Sequence, residues 1–375
     1  MADVVILGGG FAGVVAAESL AKKLGREHQI TLVSQSRRFV FYPALVRLAF
    51  ERTKASDISF DVRDAMLDRR VRFVQAQVAH VSPHAGRVRL AGGEFEGELP
   101  YDFLIFALGR RLATERIPGF FEHANHLLDV EGATKFGAAV RRFDRGRAII
   151  GHCLEARLPV PAFETAFALS RHLKQRGVRE HCSIEIVSGE TPEALFGINA
   201  VSQPLRDALT RHQIKFVSDF PISQVHAGSV IAGDSRSLAY DLLMLIPPFA
   251  GSGAAVGLGV TDADGFIRVE STMRVLNLER MYAAGDCISF PGPKFGHLAV
   301  RQAEVAAENL ATEIDGGTPR SNYNHEMMLV IDEGGKDSLF LRQDMWYEES
   351  GSVKQGRFWS LAKRLQETFW KRTHA

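Results

Sequence analysis

The sequence predicts a mixed α/β fold: two units of parallel strand and helix, followed by a smaller C-terminal segment. Three observations carry that reading. A glycine turn, Gly8-Gly9-Gly10-Phe11-Ala12-Gly13, stands between a short apolar run and an Ala- and Leu-rich helical run. A second strand-helix-strand series begins near Arg147 with a weaker glycine signature. The final stretch, 358–372, spaces apolar side chains at helical intervals among basic ones.

Residues 3–7 form a short buried-strand signal, 14–24 a helix ending at Gly25, and 29–33 a second strand. Strand, glycine turn, helix and strand within about 30 residues is the setting in which G-x-G-x-x-G binds a dinucleotide. Gly8 permits the tight bend, Gly10 lets a pyrophosphate approach the backbone, and Gly13 lets helix pack on strand. The helix N-terminus adds partial positive charge for the phosphates. The acidic residue expected after the second strand is missing; Ser34 and Gln35 stand there, whose hydroxyl and amide can still bond a ribose.

Residues 71–78 and 87–90 alternate as strands, and 101–109 is a buried strand closed by glycine. The second unit reads as strand 147–151, helix 162–176 and strand 183–187, and an apolar run returns at 240–247. Residues 280–286 read as a strand ending in Gly-Asp, and 295–310 as one helix. The division that follows is a nucleotide domain in two parts, 1–110 and 235–315, a second Rossmann-like domain at 111–234, and a C-terminal segment at 316–375.

Composition narrows the function classes. The chain has 375 residues, enough for two or three domains, and its 46% hydrophobic and 24% charged residues argue against long disorder. Lys and Arg number 45 against 44 Asp and Glu, so the global basic field of a nucleic-acid binder is missing. Cys153, Cys182 and Cys287 are too scattered for a disulfide framework or a zinc ribbon, and His123 and His126 lack further metal ligands. Residues 1–7 do not read as a signal peptide, and no run of about 18 apolar residues exists. The expectation is a cytoplasmic enzyme.

Two distant segments point to the nucleotide. Ala107-Leu108-Gly109 resembles the Ala-Thr-Gly turn of flavoproteins with two dinucleotide domains. Tyr282-Ala283-Ala284-Gly285-Asp286 resembles their second FAD fingerprint, in which the Asp bonds the ribityl chain. Longer runs are similar to the sulfide:quinone oxidoreductases: Phe39-Val40-Phe41-Tyr42-Pro43-Ala44-Leu45, Leu245-Ile246-Pro247-Pro248-Phe249-Ala250-Gly251, and Pro293-Lys294-Phe295-Gly296-His297. Asp344-Met345-Trp346-Tyr347 and 358–371 complete the likeness. It implies a glutathione-reductase-like fold with FAD between two Rossmann-like domains, reduced by a small donor and oxidised by a quinone. It implies FAD contacts from Gly8, Gly10, Phe11, Ala12, Gly13, Ser34, Gln35, Pro43, Val78, Ala107, Gly109, Arg110, Gly285, Asp286 and Lys294. Peripheral contact with the inner face of the cell membrane and a homo-oligomer are further expectations.

The family's redox thiols are absent. Local matching puts Leu128, Leu158 and Leu329 where the family carries cysteines, and leucine can be neither nucleophile nor redox relay. Cys153, in the loop leading toward Leu158, is the one remaining candidate thiol; its other reading is a small buried residue. Cys287 is expected beneath the FAD, and Cys182 at the surface. Lys294 and the helix after it are candidates for stabilising charge on a reduced flavin. His297 and Glu164 are candidates for proton transfer. The donor stays open between sulfide and NAD(P)H. A type II NADH:quinone-like dehydrogenase is one alternative, although Gly151-His152-Cys153 and the prolines 159 and 161 suit a pyrophosphate poorly. A flavin-binding protein without turnover is another.

Overall fold

The computed structural model of the chain describes all residues except 325, 335–337 and 345–350. Met345-Trp346-Tyr347, singled out above, therefore lies outside the described residues. Five parallel strands build the first sheet, in the order Met281–Ala283, Phe103–Phe106, Asp3–Leu7, Gln29–Ser34 and Arg72–Gln75. Residues 4–7 and 103–106 of its central strands are apolar with side chains buried on both faces, the pattern a covered parallel sheet demands. Helix α1 (Phe11–Lys23) starts three residues before the sequence expectation, because Gly10 takes extended backbone and serves as its N-cap.

The second sheet is also parallel, in the order Ile214–Val217, Cys182–Ser188, Gly146–His152 and Leu242–Ile246. The strand Leu242–Ile246 thus joins the second sheet, whereas the division at 234/235 assigns it to the first unit. An all-apolar run carries no mark of which sheet it completes, and this correction comes from its pairing alone. Helix α2 (Val160–Gln175) accepts Pro161 in its first turn, where a missing N–H leaves no bond unmade.

Helix α3 (Gly296–Ile314) returns to the first sheet and packs on α1. Gly285 lies between them: a Cβ there would stand 2.9 Å from the Ala12 methyl and 3.4 Å from that of Ala299. The C-terminal segment holds an antiparallel sheet of Glu326–Ile331, Leu339–Asp344 and Ser352–Gln355, then helix α4 (Phe358–His374). Ion pairs of Lys363 with Glu164 and of Glu367 with Arg47 fasten α4 to the body, and His374 Nδ1 lies 2.5 Å from a Glu18 carboxylate oxygen. The Arg69 guanidinium also donates to the Thr373 carbonyl at 2.7 Å.

Candidate functional site

The glycine turn separates packing from binding. Gly8 has φ +111°, and a Cβ on it would meet the Ala107 carbonyl oxygen at 2.2 Å; a Cβ on Gly13 would meet the Gly8 oxygen at 1.7 Å. Both positions need glycine for the fold. Gly10 differs: a Cβ there would touch nothing within 4 Å. The same holds at Gly109, whose φ is +68°. The first turn of α1 carries no acidic residue and no side-chain cap, so its N–H groups face this open cradle unpartnered by side chains. That arrangement fits the pyrophosphate of a dinucleotide. Ser34 is buried and its Oγ donates to the Ser36 carbonyl at 2.9 Å, while the Gln35 side chain is exposed. Val78 is half-buried on the strand Gln77–Ser82.

Charge gathers behind the turn. Asp286 is ion-paired with Arg110, whose guanidinium lies 4.1 Å over the Phe249 ring and whose buried Nε has no hydrogen-bond partner among the described residues. Lys294 is 3% exposed, so it is no solvated loop lysine. Its Nζ donates to the Ile288 carbonyl at 2.6 Å and sits 4.3 Å above the Phe266 ring. Burial brings this ammonium down to about 8, although Asp286 opposes the fall. A buried cation with one hydrogen bond and an aromatic face is undercompensated, and it fits an anionic partner.

Beside the turn lies an apolar cavity of about 460 Å³, within the range of small-molecule sites. Phe11 and Pro43 link it to the glycine turn, and Phe295, Gly296 and His297 bring the start of α3 into its wall. Leu158 and Leu329, two of the positions where the resemblance calls for thiols, line it together. Leu128 packs on the core instead, and its neighbour Leu127 lines the cavity. Trp359, Ala362, Gln366 and Trp370 close it from α4. Trp370 reaches in far enough to stack on Phe39, with centroids 4.6 Å apart. Tyr42 also lines the cavity with its hydroxyl buried; burial and Asp286 keep it protonated.

The cavity has one strongly polar corner. Glu164 Oε1 accepts from Lys363 Nζ at 2.5 Å and from the Asp332 backbone N–H at 2.7 Å. Burial raises the Glu164 carboxyl above its ordinary value; Lys363 opposes the shift and Asp332 adds to it. Asp332 goes the other way: burial works to raise it, but bonds from Ser360 and Gly334 hold it low. His297 Nε2 accepts from the Met328 N–H at 3.4 Å.

Other expectations are corrected. Cys153 is fully buried in the core of the second unit, against Ile149, Phe220 and Leu245, and does not line the cavity. Burial pushes its thiol up to about 12, which removes the thiolate a nucleophile needs. Cys182 is buried rather than at the surface, because it begins a sheet strand beneath Arg179. Cys287 is buried next to Asp286 and donates to the Ala284 carbonyl at 3.2 Å. Lys363, Asp332, Trp359 and Trp370 were not among the sequence candidates. The two tryptophans lie eleven residues apart, three helical turns, with Ala362 and Gln366 between them on the same face. That spacing was the available signal. The opposite stripe of α4 is solvent-facing: Phe358, Leu361, Leu365 and Phe369 are 62, 55, 60 and 72% exposed.

Comparison with known proteins places the chain in a family. Residues 2–303 match the sequence model of the Pyridine nucleotide-disulphide oxidoreductase family. The chain is 23% identical over 363 residues to a sulfide-quinone reductase of Aquifex aeolicus, covering 91% of this chain and 83% of that one. It is 22% identical over 351 residues to the alternative NAD(P)H-ubiquinone oxidoreductase C1 of Arabidopsis thaliana, covering 83% and 67%. The crystal structure of the Aquifex aeolicus sulfide:quinone oxidoreductase superposes with a TM-score of 0.92 at 22% identity, covering 99% of this chain and 91% of that one.

Proposed function

The chain belongs to the pyridine nucleotide-disulphide oxidoreductase family, and from that premise we infer that it is an FAD-dependent oxidoreductase passing two electrons from a small donor to a quinone. FAD, when bound, supplies the two-electron carrier. We assign its pyrophosphate to the Gly8–Gly13 turn and the N-terminus of α1, its ribityl chain to Asp286, and its negative charge to Lys294 and the start of α3. The open space at Gly10 and the undercompensated ammonium of Lys294 support this assignment.

One observation carries the quinone reading. The apolar cavity adjoins the glycine turn, is walled by Leu158, Leu329 and aromatic rings, and is roofed by a helix whose outer face is an exposed apolar stripe. A quinone ring needs an apolar slot, and its dissolved pool lies in lipid. The stripe of α4, flanked by Arg364, Lys371 and Arg372, suits a helix lying in a membrane interface. Among the described residues no helix is long and apolar enough to cross a membrane. We therefore propose peripheral contact through α4, which would bring the cavity to the lipid. Glu164 is the proton donor of this reading, held in place by Lys363.

The donor does not act through thiols at Leu158 and Leu329. A nicotinamide donor is the second reading, favoured by the NAD(P)H-ubiquinone relative. Against it, seven residues, 153–159, separate the strand Gly146–His152 from α2, and the start of α2 lines the apolar cavity instead of a phosphate cradle. The test is anaerobic mixing of the purified yellow protein with sulfide, NADH and NADPH in turn, each followed by a ubiquinone analogue. The reading expects the quinone to restore the flavin colour, whether a donor or dithionite has bleached it. If the quinone leaves even dithionite-reduced flavin bleached, the proposed function is wrong.

A further inference from the structure

A second, polar cavity of about 40 Å³ lies beside α4, lined by five basic and three acidic side chains. Lys363 is paired with Glu164, and Arg47 with Glu367. Asp332 exerts the strongest attraction on the half-buried Arg171. That leaves Arg52 and Arg364, both exposed and neither ion-paired with a described residue. Burial brings the Arg171 guanidinium down to about 10; Asp332 opposes the fall and Arg52 adds to it. The outer end of the cavity therefore holds uncompensated positive charge, which an anion would relieve.

The fold places both arginines. Glu51 takes φ +56°, a left-handed turn that folds the chain back so that the Arg52 N–H donates to the Arg47 carbonyl at 2.8 Å. Arg364 lies three residues after Leu361 and three before Glu367, so it stands between the exposed apolar stripe of α4 and its docked face. The cavity is too small for a ring or an acyl chain, and a guanidinium fork matches phosphate oxygens. A helix lying in a membrane interface has lipid phosphates level with its polar edge. We propose that Arg52 and Arg364 form a binding site for the phosphate of one acidic phospholipid, whose acyl chains lie along Leu361 and Leu365. Free phosphate offers the same oxygens, but only a lipid also covers the exposed stripe beside Arg364. This inference rests on the membrane-contact reading of α4 and replaces a diffuse attraction by one site of fixed stoichiometry.

The test is isothermal titration of the FAD-loaded protein with dihexanoylphosphatidylglycerol, kept below its micelle concentration. One lipid per chain is expected, bound at least about tenfold more weakly by Arg52→Gln combined with Arg364→Gln. Lys371→Gln combined with Arg372→Gln removes the same net charge and should leave the binding unchanged. Both variants alter surface side chains and should keep the wild-type melting temperature. Inorganic phosphate, which cannot cover the stripe, should bind at least about tenfold more weakly than the lipid. Equal weakening in the two variants would mean a diffuse field and overturns the site. Phosphate binding as tight as that of the lipid overturns the assignment to a lipid. Sedimentation with phosphatidylglycerol vesicles separates this inference from the reading beneath it. Wild-type protein that fails to sediment would end the membrane contact of α4, and the titration with soluble lipid would still decide the site.

Discussion

Replacing Lys294 by methionine should stabilise the cofactor-free protein, by an amount that depends on pH. The ammonium has an ordinary value of 10.5 in the unfolded chain and about 8 in the fold, with burial as the main cause. Between those values the unfolded chain binds the proton more tightly. Below pH 8 the fold therefore carries a buried charge that costs it, at about 1.4 kcal/mol per tenfold in proton affinity, roughly 3 kcal/mol. Above pH 8 the folded lysine loses its proton and the cost shrinks, to roughly 1.5 kcal/mol near pH 9.5. Methionine keeps the volume and the contact with Phe266 but loses the bond to the Ile288 carbonyl, which subtracts about 1 kcal/mol at every pH. The assay is urea unfolding of the FAD-stripped wild type and Lys294→Met protein from pH 7 to 9.5. The expected signature is an advantage for the variant that falls by roughly 1.5–2 kcal/mol over that range. An advantage independent of pH would mean that the ammonium is hydrated in the fold, and the argument for its holding flavin charge would fail with it.

Gly10→Ala should change the stability of the apoprotein by no more than about 1 kcal/mol, the cost of a poorer helix cap, yet lower FAD content in the purified protein. Gly13→Ala should instead destabilise the fold by about 1–3 kcal/mol or more, since its methyl would collide with the Gly8 carbonyl; unfolding curves and flavin absorbance separate the two. Leu361→Glu combined with Leu365→Glu should abolish sedimentation with anionic lipid vesicles while shifting stability by only about 0.5 kcal/mol, and unchanged sedimentation would contradict the role given to α4. Sulfide should leave the wild-type flavin oxidised, whereas Leu158→Cys with Leu329→Cys should make it reducible by sulfide. Bleaching of the wild type would show that sulfide needs no thiol at these positions.

Much of the fold was legible because local chemistry and tertiary role coincide. At Gly8 and Gly13 the turn tolerates no side chain, and the strand Asp3–Leu7 is apolar because both its faces are covered. The strand Leu242–Ile246 was misassigned because five apolar residues pair equally well with either sheet edge. Cys153 looked available because it follows a strand, but its burial depends on Phe220, Ile222 and Leu245, which are remote in sequence. Glu164 was visible as a candidate, while its partners Lys363 and Asp332 were not. Lys363 sits among basic residues of an amphipathic helix, and only the docking of α4 selects it from Arg364 and Lys371. Trp359 and Trp370 turn inward in the structure because helix rotation is set by the contacts of Lys363, Glu367 and His374 with Glu164, Arg47 and Glu18.

The most direct test fills the apolar cavity. Leu329→Trp would place an indole where the quinone ring is assigned, and reduced holoprotein of wild type and variant can be mixed anaerobically with increasing concentrations of a ubiquinone analogue. The account predicts saturable reoxidation in the wild type and at least about tenfold slower reoxidation in the variant, with ferricyanide rates alike. Equal quinone rates in the two proteins would contradict it.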